Sequence, residues 1–399
     1  MTVQNGRELL AIPGPTTVPD EVLSAMHRPA VDLYSGEIIS VTMSCISDLK
    51  KIIRTRSEPF LYAANGHGAW EAALVNCLSR GDRVLALQSG MFGGAWAEMA
   101  EVLGLDVEVL TAAPRRAISP DAVSDRLRAD REHRIKAVLA VQIDTAAGIV
   151  NDVPALRQAV TDAGHPALFM VDTIASLACM PFEMDAWGVD VTVAGSQKGL
   201  MTPPGLAFVA AGERARAAHR HADLVTRYWD WSFREGDEHY QKYCGTAPEH
   251  LMFGLRRALD MLLEEGLEHV FRRHALLADA TRAAVERWAE GGAFGFNVLE
   301  PVERSNSVTT LRFDETDPQR VIDFCRERCG VVLGIGIGPE LSGRAIRIAH
   351  MGHVNAAMTL GVLGAFETAL TALGIPHGKS GVAEAATSLG GALAVVPMA

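Results

Sequence analysis

Nowhere in the 399 residues do about eighteen consecutive apolar side chains follow one another, so no membrane-spanning helix is expected. Blocks of like charge are missing as well. The 37 Lys and Arg are scattered among 48 Asp and Glu, and a formal net charge of -11 argues against a polyanionic partner such as nucleic acid. Cysteine is sparse: the residues at 45, 77, 179, 244, 325 and 329 cannot make a disulfide framework, and none stands in a C-x-x-C pair. Cys325 and Cys329 lie four apart on a predicted helix, but no nearby histidine or acidic cluster completes a metal site, so free thiols and no metal are expected. G-x-G-x-x-G and the P-loop are both absent, which sets aside a dinucleotide-dependent dehydrogenase. The N-terminal MTVQNGRELLAIPGP has no basic segment leading into an apolar core, and a cytoplasmic location is expected.

What is present is alternation. Short aliphatic runs, RVLALQSG (83–90), DVEVLT (106–111), KAVLAVQID (136–144), ALFMVD (167–172), DVTVAGS (190–196) and LAFVAA (206–211), are separated by helical patterns such as AWEAALVNCLSR (69–80), GAWAEMAEVLG (94–104) and VPALRQAVTDAG (153–164). The last two helices are closed by a glycine. This pattern predicts an α/β domain with a mostly parallel sheet. From about Ala247 one long helical run takes over, followed by SVTTLRF and VVLGIGIG between further helices, which predicts a smaller α+β domain. We divide the chain into an N-terminal arm (1–25), a large domain (26–255), a small domain (256–375) and a tail (376–399) that is rich in Ala and Gly, either a loosely held helix or disordered.

Three features carry chemistry. NGHGAWEAAL (65–74) follows an apolar strand and opens a helix, and its glycines around His67 suit a turn that aims amides and the positive helix end at a phosphate; packing the helix on the sheet would require the same turn. ALFMVD ends in Asp172, a carboxylate at the carboxyl end of a buried strand, where open α/β sheets bind ligands and where a helix cap would also stand. AGSQKGLMTPPG places Lys198 just past another strand end, walled by small and apolar residues; desolvation there favours the neutral, nucleophilic amine, although an exposed loop lysine is the common alternative. The combination, in this order, is what pyridoxal 5'-phosphate requires: anion donors, a carboxylate for the ring nitrogen and an amine for a Schiff base.

These residues resemble the class V aminotransferases of fold type I. PGPTTVP, GHGAWEAALVNCLSRGDRVL, VDTIAS, AGSQKGLMTPPGLAFV, EEGLEHVFRRHALL and RIAHMGHVN are similar to the serine-, aspartate- and alanine-glyoxylate enzymes, from about Pro13 to Gly381. The resemblance implies a fold type I transferase with a mostly parallel, seven-stranded sheet in the large domain. It implies that Lys198 is the Schiff-base lysine and Asp172 the partner of the pyridinium nitrogen. Asn65, Gly66, His67 and Gln197 would lie around the phosphate, Phe92 would stack on the ring and Ser176 would sit close to it. Tyr243 and Thr246 would come from the neighbouring subunit of a homodimer with shared active sites. Arg347 in AIRIAHMG would clamp the substrate α-carboxylate with its planar fork.

The sequence also departs from that family. Leu33-Tyr34-Ser35-Gly36 stands where the bacterial glyoxylate enzymes carry His-Arg-Ser-Pro, so Tyr34 replaces an arginine at the substrate entrance and a second carboxylate is poorly recognised. Asp144 in IDTAAG replaces a glutamate, and Thr246-Ala247-Pro248 replaces Thr-Pro-Pro. The implied activity is a ping-pong transfer of the amino group of a small donor, serine or alanine, to glyoxylate or pyruvate. Pyridoxamine-pyruvate aminotransferase, which shares Leu-Tyr and a RIGHMG-like segment but whose second pocket arginine aligns with Gly338, and a lyase of the same fold are the alternatives.

Overall fold

The apolar runs of the N-terminal two-thirds become strands, buried on both faces in the centre of the sheet and partly exposed at the edge strand Asp106–Thr111. In the computed structural model, which describes residues 2–394, seven strands lie side by side in the order Phe60–Tyr62, Ala207–Ala211, Val191–Gly195, Leu168–Asp172, Ile135–Val141, Arg83–Gln88 and Asp106–Thr111. Ala207–Ala211 is antiparallel to both of its neighbours, and the remaining contacts from Val191–Gly195 to Asp106–Thr111 are parallel. Side chains alternate between two cores: Leu85, Leu87, Phe169 and Val171 point to one, and Val84, Ala86, Leu168 and Met170 to the other. By the same alternation Asp172 faces the second layer, where the helix Gly66–Cys77 packs through Trp70, Ala73 and Leu74.

A five-stranded sheet forms the second body, in the order Leu9–Ala11, Val331–Ile335, Ala345–Ala349, Val308–Phe313 and Phe294–Phe296. Its first pair is parallel, joining Leu9 to Val331, so part of the N-terminal arm belongs to this sheet rather than standing apart. Past Ala11 the chain crosses to the large sheet, where the Thr16 amide donates to the Gln197 carbonyl and its hydroxyl to the Lys198 carbonyl (3.1 and 3.0 Å).

Two expectations change. The long helical run is two helices, Glu249–Glu265 and Leu267–Ala289, because Gly266 adopts a φ of +82°, which breaks the helix. The expected boundary at 255/256 therefore falls inside a helix whose Met252, Leu255, Leu259 and Leu262 all pack into the large-domain core. The tail is a helix, Gly381–Ala394, seated on Leu267–Ala289 through Gly381, Ala385 and Leu389, one turn apart; residues 395–399 of that tail lie outside the described residues. Gly381 has to be glycine, since a β-carbon there would occupy the Trp288 indole. Among the described residues no helix is long and apolar enough to cross a membrane.

Candidate active site

The carboxyl ends of Leu168–Asp172 and Val191–Gly195 are neighbours, Asp172 pairing with Val193, and the chain beyond each turns over one cleft of about 750 Å³ including its open mouth. Asn65, Gly66, His67, Phe92, Asp172, Gln197 and Lys198 all line it. Seven of the residues singled out from sequence thus converge on one place, although they span more than 130 positions.

Asp172 is 4% exposed, and burial pushes its carboxyl up to about 7 against hydrogen bonds that pull it down. Those bonds come from behind: the Ile174 amide donates to Oδ1 at 2.6 Å and the Trp70 indole N–H to Oδ2 at 2.8 Å. Trp70 is itself fixed by stacking on Trp96 (centroids 5.8 Å) and by edge contact with Phe92 (6.4 Å). The carboxylate is therefore aimed, with its open side to the cleft.

Lys198 is brought down to about 8, first by desolvation and then by the charge of Arg347, with Asp172 acting in the opposite sense. Its Nζ donates to the Pro13 carbonyl, so the crossing strap from the small sheet covers the lysine. Gly14 makes this contact feasible: a β-carbon there would come within 2.6–2.7 Å of the lysine side chain, and the residue holds a φ of +99°.

The phosphate turn differs from expectation in one respect. Asn65 is the N-cap of Gly66–Cys77, and its Oδ1 accepts from the amides of His67 (3.1 Å) and Gly68 (3.3 Å), two of the donors an anion would use. The Gly66 amide and the Gln197 carboxamide make no hydrogen bond among the described residues, and the Gln197 side-chain oxygen is buried without a partner. Gly66 also lets Ile174 close the wall, since a β-carbon would displace the isoleucine side chain. Uncommitted polar groups at a helix N-terminus, an amine held beside a glycine and a carboxylate supported from behind fit pyridoxal 5'-phosphate.

Five other expected residues do not line the cleft. Arg347, 8% exposed, lies just behind it: Nε donates to the Ile335 carbonyl (2.6 Å) and Nη1 to that of Thr145 (3.1 Å), and Thr145 forms part of the wall. Among the described residues Arg347 has no ion pair, so the inter-element salt bridge that its strand position would also permit is not formed. Burial lowers its pKa to about 10, leaving it cationic. Ser176 is turned away, donating to Gln142 Oε1 at 2.5 Å in the core, and Ala175 takes its place on the wall. Tyr243 is buried in its own protomer with its hydroxyl 2.7 Å from Thr42 Oγ1, and Thr246 and Tyr34 are exposed, the latter by 79%. Conversely, Gly14, Pro15, Trp70, Ile143, Thr145, Ile174, Ala175 and Pro204 line the cleft without having been singled out. The N-terminal PGP and the tryptophan inside GHGAWEAAL were their visible signals.

Comparison with known proteins identifies the family. Residues 13–350 match the family model for aminotransferase class V. The chain is 39% identical over 396 residues to the serine–glyoxylate aminotransferase of Methylorubrum extorquens, covering 97% of each. It is 37% identical over 390 residues to the L-aspartate–glyoxylate aminotransferase of Paracoccus denitrificans, covering 96% of each. Among solved structures, pyridoxamine-pyruvate aminotransferase from Mesorhizobium loti superposes with a TM-score of 0.90 at 26% identity, over 98% of this chain and 100% of that one. The family and this structural neighbour imply pyridoxal phosphate as cofactor. The chain belongs to the class V aminotransferases and has their fold type I architecture.

Proposed function

We propose that this aminotransferase moves the amino group of a small amino acid, serine or alanine, to a 2-oxo acid such as glyoxylate or pyruvate, in two alternating half-reactions. The observation that carries the reading is the juxtaposition, in one cleft, of a partly desolvated Lys198, a supported Asp172 and an uncommitted helix N-terminus. When bound, pyridoxal 5'-phosphate supplies an aldehyde that bonds amines and a ring that withdraws electrons from the substrate Cα. Gly66, His67 and Gln197 would hold its phosphate, Phe92 would cover its ring and Lys198 would be the amine attached to it.

With a pKa near 8, Lys198 has an appreciable neutral fraction at neutral pH, which suits both a nucleophile and a base that carries a proton on Nζ from the substrate Cα. The Pro13 carbonyl gives the released amine a resting place. Asp172, held by Trp70 and Ile174, keeps a proton at the ring nitrogen. The donors that Arg347 does not spend on Ile335 and Thr145 orient the substrate carboxylate.

Substrate size follows from charge. Apart from Arg347 behind the wall, which takes the first carboxylate, Lys198 is the one Lys or Arg among the lining residues, so the cleft offers no further guanidinium for a second. Serine as donor and glyoxylate as acceptor are favoured by the relatives' names. Tyr34 and Thr246, exposed and away from their own cleft, support a homodimer in which each protomer completes the other's site. The backbone match to pyridoxamine-pyruvate aminotransferase favours a second reading, in which pyridoxamine is a substrate; against it, Gly338, the position where that enzyme's second pocket arginine aligns, has no side chain to offer.

One experiment separates these readings. Purified protein is incubated with serine, alanine, aspartate or pyridoxamine as donor and glyoxylate or pyruvate as acceptor, and the products are quantified. Turnover of serine or alanine, with aspartate at least tenfold poorer in kcat/KM, is expected; preference for aspartate or pyridoxamine would refute the assignment.

A further inference from the structure

Asp144 touches neither Lys198 nor the cleft, yet it is fully buried and its carboxylate is surrounded by backbone donors from two walls of the site. Oδ2 accepts from the Phe92 amide at 2.7 Å. That amide belongs to the first turn of the helix Met91–Val102, whose own N-cap, Gly90, has no side chain to offer. The cap comes instead from a remote segment, and Gly90 is what admits it: a β-carbon there would overlap the carboxyl group. Phe92 lines the cleft edge-on to Trp70, so fixing its amide fixes the ring that covers the cofactor side.

The other oxygen serves a different wall. Oδ1 accepts from the amides of Ala146 (3.0 Å) and Ala147 (3.2 Å), and the Asp144 carbonyl accepts from Gly148 (2.8 Å), closing the turn between the short strands Ile143–Asp144 and Ile149–Val150. Within that turn sits Thr145, whose carbonyl accepts from Arg347 Nη1. One carboxylate therefore sets both the cofactor-covering ring and the carbonyl that aims the guanidinium. Burial holds the Asp144 carboxyl above its ordinary pKa even against the pull of these backbone amides, so the amides compensate its isolation from water only in part.

We propose that Asp144 is a positioning residue that couples the cofactor wall, through Phe92, to the substrate-carboxylate clamp, through Thr145 and Arg347. The proposal rests on the aminotransferase reading above. A purely structural cap would lower stability and leave both ligands' affinities alone; a coupling residue moves both together.

The test uses the full-length protein and Asp144→Asn, nearly isosteric, with Asp144→Glu as the variant that restores the charge. Four quantities are read: the thermal midpoint, the Kd for pyridoxal 5'-phosphate by absorbance titration of apoenzyme, the visible circular dichroism of the bound cofactor, and kcat and KM for the amino donor. We expect Asp144→Asn to weaken cofactor binding and raise the donor KM by tenfold or more each, to reduce the dichroic band, and to change kcat less than KM. Asp144→Glu should recover most of both losses. A change in the thermal midpoint with Kd and KM each within twofold, a loss confined to one ligand, or a Glu variant no better than Asn would overturn the coupling. If Asp144→Asn does not fold, Asp144→Ser keeps one acceptor at the helix and should show the same paired loss; failure of both to fold would reduce Asp144 to a cap and overturn the proposal. A wild type that takes up no cofactor would sink the aminotransferase reading together with this one, whereas a coloured wild type beside an unaffected Asn variant sinks the coupling alone.

Discussion

His274 should make the protein lose stability in mild acid, and substituting it should remove that loss. It is completely buried on the helix Leu267–Ala289; its Nδ1 lies 2.7 Å from the Val270 carbonyl and its Nε2 accepts from the Gly352 amide at 3.0 Å. The bond from a backbone N–H requires a bare Nε2, so protonation would set two N–H groups against each other. Burial, assisted by the Arg273 charge, lowers the pKa from 6.5 to about 4. Because the folded value lies below the unfolded one, the contribution is intact above pH 6.5, declines as pH falls and levels off below pH 4, since only the unfolded chain takes up the proton in that window. Linkage puts the loss at about 2 kcal/mol at pH 5 and about 3 kcal/mol at pH 4. Gly352 packs against Thr16 and the Lys198 carbonyl, so the cost falls beside the proposed catalytic lysine. The assay is urea unfolding of apoenzyme at pH 7.5, 6 and 5 for wild type and His274→Gln. The variant, neutral throughout, starts lower but should fall less by about 2 kcal/mol between pH 7.5 and 5. His350, depressed to about 3 chiefly by burial and in smaller part by His274, is present in both proteins, so the difference between the curves reports His274 together with that coupling. Parallel profiles would refute the reasoning.

Arg347→Met should raise the KM for the amino donor about 100-fold, the loss of a two-pronged carboxylate bond worth roughly 3 kcal/mol, while the visible band of bound cofactor persists in spectrophotometric titration. Trp70→Phe removes the indole donor to Asp172 Oδ2, a bond to a charged acceptor worth roughly 1.5–3 kcal/mol; the Asp172 pKa should rise from its position near 7, visible as an upward shift in the pH dependence of cofactor affinity. Gly14→Ala places a β-carbon within 2.6–2.7 Å of the Lys198 side chain and should abolish the visible band with the far-ultraviolet circular dichroism unchanged.

Much of this site was legible because strands buried on both faces read as unbroken apolar runs, and the first residue to interrupt such a run stands out. Asp172 ends LFMV, and Lys198 follows VTVAGSQ; at each, a charged side chain marks the sheet's carboxyl edge. The wall residues were hidden for the complementary reason. Trp70, Ile143 and Ile174 look like core in sequence, and only the fold turns one flank of each toward the cleft. Ser176 illustrates the limit of reading a position from its neighbours, because a one-residue change in a tight turn swaps Ala175 onto the wall and sends the hydroxyl to Gln142. Asn65 was expected among the phosphate ligands, but a short amide at an N-cap position satisfies its own helix first. The tail helix carried a weak signal because Ala and Gly stand all around it, so its buried stripe of Gly381, Ala385 and Leu389 produces little helical periodicity.

The claim on which the rest depends is that Lys198 is the amine that bonds pyridoxal 5'-phosphate. Protein incubated with the cofactor, reduced with borohydride and digested should yield one phosphopyridoxyl-modified peptide, carrying the added mass on Lys198, and Lys198→Ala should yield none. Modification at another lysine in the wild type, or undiminished labelling in Lys198→Ala, would contradict the account.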